Sequence, residues 1–164
     1  IIGISQGSQP IVGFNYGAKQ YQRVRGIYKL AVSCCVAVGS VGFVLFEFFP
    51  TQIISIFGTG DELYFEFAVK FMRIFLMMIF INGVQMISSN FFAAIGKPVK
   101  GMILSLTRQV LFLIPLLLIL PLWFGMDGIL FAAPVADFAA FLTTVALIRR
   151  EMQHIRALEA VQQA

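Results

Sequence analysis

The chain has 164 residues, of which 59% are hydrophobic and only 12% are charged. A soluble domain of this length cannot hide so much apolar surface, because surface-to-volume scaling leaves much of its exterior in water. The formal net charge is +4, but the basic residues border apolar segments, where they orient a chain in a bilayer. The composition therefore predicts an all-α, polytopic bundle of membrane helices with the lipid bilayer as partner, and it argues against nucleic acid.

The first segment, residues 1–18, is less apolar than the rest and contains Gln6, Gln9 and Asn15, yet it carries no charged side chain. Because clear spans follow it, we predict that it is the inner part of a polar-lined helix and that these three side chains line a cavity. Its start within a structured segment leads us to expect that the chain is part of a longer polypeptide.

Four later segments have the length and apolar character of complete membrane spans: residues 30–49, 74–95, 101–124 and 128–148. About 20 residues of α-helix cross a hydrocarbon core of about 30 Å. A glycine-containing turn at residues 58–60 follows a short amphipathic stretch after the first complete span. Residues 149–164 mix charged and apolar side chains and are predicted to form a cytoplasmic tail.

The connections between these spans alternate in charge, which gives the bundle a direction. Basic connections contain Lys19, Arg23, Arg25 and Lys29, then Lys97 and Lys100, then Arg149, Arg150 and Arg156; acidic ones contain Asp61, Glu62 and Glu66, then Asp127. Lys and Arg concentrate in cytoplasmic loops. We therefore predict a multi-pass protein of the plasma (inner) membrane with its C-terminus in the cytoplasm.

Two charged residues lie deep within predicted spans, whereas Glu47 lies near the end of the span at residues 30–49. Asp137 is near the middle of its span, where an ionised carboxylate costs at least about 2.5 kcal/mol, so it is expected to face protein or water. It is, together with Arg108, a candidate for ion coupling or gating, or else a structural partner for a polar neighbour. Arg108 lies in the preceding span, about 10 Å away along the axis if the two helices form a hairpin. We expect a bridging water or a third helix between them, or Arg108 extending to headgroups.

A polar stripe follows one face of the span at 74–95, where Asn82, Gln85 and Ser89 recur at helical spacing. Such a stripe either lines a cavity or provides hydrogen bonds between helices. No set of residues has the spacing of a metal site, a catalytic centre or a phosphate-binding loop. We therefore expect no enzymatic activity and no cofactor apart from a coupling ion.

Several motifs resemble those of the multidrug and toxic compound extrusion (MATE) transporters. Residues 6–11 (Gln-Gly-Ser-Gln-Pro-Ile) and 13–18 (Gly-Phe-Asn-Tyr-Gly-Ala) resemble the motif near the start of each half of that family. Residues 91–98, 106–109, 114–116 and 133–137 are similar to its later helices, especially in the bacterial branch. The resemblance extends from Ile1 to about Glu151.

The resemblance implies helices eight to twelve of a twelve-helix protein with two pseudo-symmetric six-helix lobes, so the N-terminal lobe of the same polypeptide is an expected partner. It implies export of small cationic amphipathic drugs or toxic compounds in exchange for Na⁺ or H⁺ by alternating access. One branch binds Na⁺ with an acidic residue of the tenth helix, but residues 74–95 contain no carboxylate. Asp137 and the absent lobe remain as coupling candidates.

Two other functions compete with drug export. A lipid-linked oligosaccharide flippase of the same superfamily would be expected to use a more basic cavity, whereas Arg108 is the one deep cation in this sequence. A non-transporting membrane scaffold would use the polar stripe and the prolines for structure alone.

Overall fold

The computed structural model describes residues 1–57 and 61–163, and the turn predicted at residues 58–60 lies outside them. The described residues are almost entirely helical and contain no β-strand. The elements are α1 (Ile2–Gly17), α2 (Tyr21–Phe48), α3 (Pro50–Phe57), α4 (Glu62–Phe75), α5 (Ile79–Ala94), α6 (Pro98–Leu106), a π-helix (Thr107–Leu113), α7 (Ile114–Phe124) and α8 (Met126–Gln163). The all-α prediction is confirmed.

Helix α5 is at the centre of the bundle and packs against α1, α2, α6 and α8. Its Ile87, Phe91 and Phe92 are almost completely buried. The Tyr28 ring of α2 packs on Phe91, and its hydroxyl hydrogen-bonds the Ser88 hydroxyl at 2.8 Å. Lipid tails are as apolar as these side chains, so close packing and interhelical hydrogen bonds, rather than a hydrophobic driving force, hold such helices together.

Small residues allow the helices to approach closely. A Cβ atom on Gly39 of α2 would lie 2.8 Å from the Phe80 Cα atom of α5, and one on Gly101 would lie 2.5 Å from the Ser89 carbonyl oxygen. Real Cβ contacts are not this short. Helix α8 also has a buried face of small residues, which allows close approach of its neighbours: Ala132, Ala133, Ala136, Ala140 and Thr144.

In the part of the chain that the structure describes, three helical stretches are long and apolar enough to cross a membrane: Tyr21–Phe48, Pro98–Phe124 and Met126–Val161. Helices α4 and α5, which meet at a 45° bend, meet the same criterion together and would form a fourth crossing as one broken span. The sequence predicts a straight span over residues 74–95, whereas the structure begins α5 at Ile79. No Gly or Pro marks this bend in the sequence. Helix α4 contacts α2, α3 and α8.

Two of those contacts are ion pairs at the acidic end of the bundle. Lys70 of α4 donates to Asp127 at the start of α8 at 2.6 Å. Arg73 lies 3.6 Å from the Glu47 carboxylate of α2. Both basic residues therefore have acidic partners on their own side of the bundle, which explains how they are accommodated at the border of a span.

The opposite end of the bundle is closed by the C-terminal part of α8, which continues from the last span without a break. Both Lys97 and Lys100 bind the buried carboxylate of Glu151, the latter at 2.8 Å. Arg25 pairs with Glu159 at 2.7 Å, and Ile155 is fully buried. The predicted tail is thus a packed helix that joins two basic connections.

The glycine contact between α2 and α5 can be tested with two single-methyl variants. Gly39→Ala should lower the thermal unfolding midpoint in detergent, because its Cβ meets the backbone of Phe80. Gly42→Ala is the matched control, since nothing lies within 4 Å of the added atom. Equal unfolding midpoints for the two variants would contradict this account of the packing.

The Glu151 cluster predicts a pH dependence of stability. Burial raises the pKa of Glu151, but its bonds with Lys100 and Lys97 outweigh burial and leave the pKa below its ordinary value of 4.5. A carboxyl group whose pKa is lowered on folding stabilises the fold fully above its unfolded pKa. The contribution is lost as the pH falls toward the lowered folded-state pKa.

Thermal unfolding of the wild type and Glu151→Gln should be compared in detergent from pH 7 to pH 3. The wild type should have the higher midpoint at neutral pH, and the difference should shrink below pH 4.5. A difference that stays constant across this range would show that the carboxylate charge does not stabilise the fold.

Candidate functional site: a polar cleft beside a buried ion pair

The α-helical geometry of one span is interrupted by the π-helix at Thr107–Leu113. Pro115 follows within the next turn and has no backbone N–H to donate, which favours a local departure from α-helical hydrogen bonding. A π-helix has more residues per turn than an α-helix, so it changes the direction in which side chains point. Segments of this kind are frequent at functional sites.

Arg108 of the π-helix forms a direct ion pair with Asp137 of α8. Its Nε donates to Asp137 Oδ1 at 2.6 Å. The Asp137 side chain is only 7% exposed, and that of Arg108 is 28% exposed. Removal of either partner from such a pair leaves a poorly solvated charge, which is costly.

This direct contact corrects the expectation that a bridging water or a third helix lies between the two residues, or that Arg108 extends to headgroups. That prediction assumed two regular α-helices that form a hairpin. The π-helix rises less per residue than an α-helix and redirects the Arg108 side chain, which is itself long. Together these features offset the distance expected from residue counting.

A cleft of about 240 Å³ lies beside this pair, between α5 and the span that follows it. Its lining combines polar side chains with one thioether: Asn82, Gln85, Met86, Ser105, Arg108 and Gln109. Asp137 does not line the cleft. It contacts the Arg108 guanidinium from α8. A ligand in the cleft would therefore meet Arg108.

The polar stripe of α5 forms hydrogen bonds between helices and also reaches this cleft. Gln85 Nε2 donates to the Leu104 carbonyl oxygen at 2.9 Å, and Ser89 Oγ donates to the Gly101 carbonyl oxygen at 2.7 Å. Asn82 and Gln85 also line the cleft. The two roles considered for the stripe are therefore compatible, and Gln85 has both.

The candidate residues of α1 lie outside this cleft. Gln6 is exposed, Gln9 is half-buried, and Asn15 is buried. Asn15 Nδ2 donates to the Ile11 carbonyl oxygen of its own helix at 2.8 Å. A partly buried contact that the sequence does not predict joins α1 to α5, where Asn90 Nδ2 donates to Ser5 Oγ at 2.7 Å.

Ser105 and Gln109 also line the cleft but are not among the residues predicted from the sequence. They lie three residues before and one residue after Arg108, within an otherwise apolar span. This polar run is the signal that identifies them. Their convergence with Asn82 depends on the packing of α5 against α6.

An apolar pocket of about 280 Å³ lies between α3 and α4. Its lining is mainly aromatic and aliphatic: Ile54, Tyr64, Ala68, Phe71, Met72, Phe75 and Leu76. The Phe71 and Phe75 rings stack with centroids 5.0 Å apart. Aromatic faces and a flexible thioether can accommodate apolar ligands of different shape.

Potential metal ligands are dispersed over the bundle. Within residues 1–57 and 61–163, no three His, Cys, Asp or Glu side chains lie close enough together to hold a metal ion.

The MatE family model matches residues 1–119, and the chain belongs to that family. It is therefore a multi-pass membrane protein of the MATE class. Its fold is similar to that of the MATE multidrug transporter DinF-BH, with a TM-score of 0.85 and 41% sequence identity. That comparison covers 91% of this chain and 33% of DinF-BH.

Two curated relatives have different described functions. The multidrug export protein MepA of Staphylococcus saprophyticus is 22% identical over 90% of this chain and 32% of its own length. An FAD transporter of Shewanella oneidensis is 22% identical over 98% of this chain and 35% of its own length. The chain therefore spans about a third of the length of the relatives it matches.

The Arg108–Asp137 pair should behave as a coupled unit in a double-mutant cycle. Arg108→Gln and Asp137→Asn should each lower the thermal unfolding midpoint in detergent, because each leaves one charge without its partner. The double variant should be more stable than the sum of the two losses predicts, with a coupling energy of about 0.5–3 kcal/mol. Strictly additive losses would show that the two side chains do not interact.

Proposed function

We propose that this chain is part of the C-terminal lobe of a secondary antiporter that exports small cationic amphipathic drugs or toxic compounds. The observation that carries the proposal is a buried ion pair beside a polar cleft within the spans of a MatE-family chain. The description of DinF-BH and MepA as multidrug transporters also supports it. Alternating access requires two lobes that move about a shared cavity.

Asp137 is the candidate coupling residue on this lobe. While Arg108 donates to it, the two charges hold α8 against the π-helix. Protonation of Asp137, or Na⁺ bound at its carboxylate, would neutralise the negative charge that attracts the Arg108 guanidinium and so weaken this contact. In one state of the lobe Arg108 and Asp137 are paired, and in the other they are separated. An ion that binds these two states with different affinities would shift the equilibrium between them.

The aromatic pocket between α3 and α4 is a candidate contact for the apolar part of a drug cation. Its Tyr64, Phe71 and Phe75 rings offer cation–π contacts, and Met72 adapts to ligand shape. The charge along the whole translocation path would also depend on the N-terminal lobe.

In this proposal the basic end of the bundle and the C-terminus are cytoplasmic, in the inner membrane.

A second candidate function is export of an anion-bearing amphiphile such as a flavin nucleotide. Arg108 lines the cleft while Asp137 does not, so the charge that faces a ligand is positive. The described function of the Shewanella relative is compatible with this alternative. The same feature favours the oligosaccharide flippase less, because a pyrophosphate calls for more than one deep cation.

Transport can be measured in inside-out membrane vesicles from cells that express the full-length protein. With Na⁺ or acid inside the vesicles, ethidium should accumulate in the lumen as the ion leaves. Asp137→Asn should reduce this uptake at least about tenfold with normal expression, if the carboxylate couples transport. Asp127→Asn is the matched control, because Asp127 pairs with Lys70 at the exposed end of the bundle.

Absence of gradient-driven ethidium uptake in the wild type would overturn export of cationic drugs and leave the anion-bearing amphiphile and the scaffold as the remaining candidates. Normal uptake by Asp137→Asn would remove this residue from the coupling path. Liposomes that contain only the 164-residue chain should show no uptake, since alternating access requires the second lobe.

A further inference from the structure

The Arg108 guanidinium offers more hydrogen-bond donors than Asp137 accepts. A guanidinium carries five N–H groups in a planar fork. Among the residues that the structure describes, its one hydrogen-bond partner is Asp137, through Nε. The four N–H groups on the two terminal nitrogens are therefore left for whatever occupies the cleft that Arg108 lines.

The surroundings of these donors are polar but not acidic. Asn82, Ser105 and Gln109 add amide and hydroxyl donors to the same cleft, and no carboxylate lines it within the described residues. Unpaired guanidinium N–H groups at membrane depth are costly unless water or a ligand accepts their hydrogen bonds. A cleft lined by a guanidinium together with amide and hydroxyl groups suits an acceptor with more than one oxygen atom.

We propose that this cleft binds an oxyanion, namely the carboxylate or phosphate group of an amphipathic molecule, through the terminal N–H groups of Arg108. The planar fork of an arginine matches both groups with two parallel hydrogen bonds. A cleft of about 240 Å³ accommodates such a group with the atoms next to it. The apolar remainder of the ligand would extend past Met86 toward the open side.

Asp137 acts here as a positioning residue rather than as a ligand contact. Its 2.6 Å bond to Nε fixes the plane of the guanidinium, and its negative charge weakens the attraction between Arg108 and an anion. Moderate affinity suits a transport site, because the ligand must also leave. The proposal rests on the proposed transporter and extends its substrate range, but binding can be measured without transport.

The test uses riboflavin 5′-phosphate and riboflavin, which share a fluorescent ring and differ by the phosphate. Binding to the full-length protein in phosphatidylcholine nanodiscs is followed by fluorescence anisotropy. The wild type should bind the phosphate at least about tenfold more tightly than riboflavin, through charge-assisted hydrogen bonds. Arg108→Gln should abolish this preference, whereas Arg73→Gln, at the outer end of the bundle, should retain it.

The Asp137→Asn variant gives the most specific result. An oxyanion site predicts tighter binding of riboflavin 5′-phosphate in this variant, because Arg108 is no longer neutralised while an amide oxygen can still accept from Nε. A cation site predicts the reverse: Asp137→Asn would weaken ethidium binding and Arg108→Gln would strengthen it. If Asp137 had only a structural role, Asp137→Asn would not tighten the binding of riboflavin 5′-phosphate alone.

The double variant Arg108→Gln/Asp137→Asn covers the case in which Arg108→Gln does not fold, since it leaves neither charge unpaired. It should bind the two flavins equally. Wild-type protein without a preference for the phosphate, or a double variant that keeps the preference, would overturn the proposal. Ethidium uptake with no flavin-phosphate preference would overturn this inference and leave the proposed drug export intact.

Two sources of the anionic group are separated by the lipid composition. Competition by inorganic phosphate in phosphatidylcholine nanodiscs should reduce riboflavin 5′-phosphate binding and identify the phosphate as the recognised part. Phosphatidylglycerol in the nanodiscs could abolish riboflavin 5′-phosphate binding by the wild type while leaving the residual flavin binding of Arg108→Gln unchanged. In that case a lipid phosphate occupies the same oxyanion site. If binding persists, the site takes a soluble ligand in the presence of anionic lipid.

Discussion

Polar groups inside a bilayer have little water to bind, so each needs a partner within the protein. In this lobe the requirement is most severe for Arg108 and Asp137, the two charges that lie deepest within the predicted spans. Their direct contact joins the π-helix to α8. The π-helix of one span and the small-residue face of the next both help to bring the guanidinium and the carboxylate together.

The same requirement organises the rest of the bundle around α5. Gln85 and Ser89 each bond a carbonyl oxygen of the following span, while Ser88 bonds Tyr28 of α2. These hydrogen bonds fix how α5 is rotated, because its polar face must meet two different helices. That rotation also turns Asn82 toward the cleft. Packing and a potential ligand site therefore depend on one helical face.

The two ends of the bundle show how charges near the surface complete the arrangement. Acidic and basic side chains on the same side form pairs, such as Lys70 with Asp127 and Lys97 with Glu151. Single exposed pairs contribute little stability, generally below about 1 kcal/mol. The buried carboxylate of Glu151, shared by two lysines, connects the last helix to an earlier connection and so limits the movement of the tail.

Local properties of the sequence predict much of this protein. Apolar length determines where the chain crosses a membrane, and the alternation of loop charge predicts a direction, because both depend on local transfer free energies. The presence of Asp137, Arg108 and the Asn82 stripe at membrane depth is equally local. These features, with the motif at residues 6–18, suffice to predict the helical class and the MATE family.

Tertiary packing determines which of these groups meet. Residue counting along ideal helices separates Arg108 from Asp137, and it cannot anticipate a π-helix that changes both rise and direction. No Gly or Pro marks the bend before Ile79, and the helix that precedes it forms ion pairs with distant parts of the chain, which a local reading does not reveal. Position within a span is a local property, whereas the partner of a buried charge depends on how several helices pack.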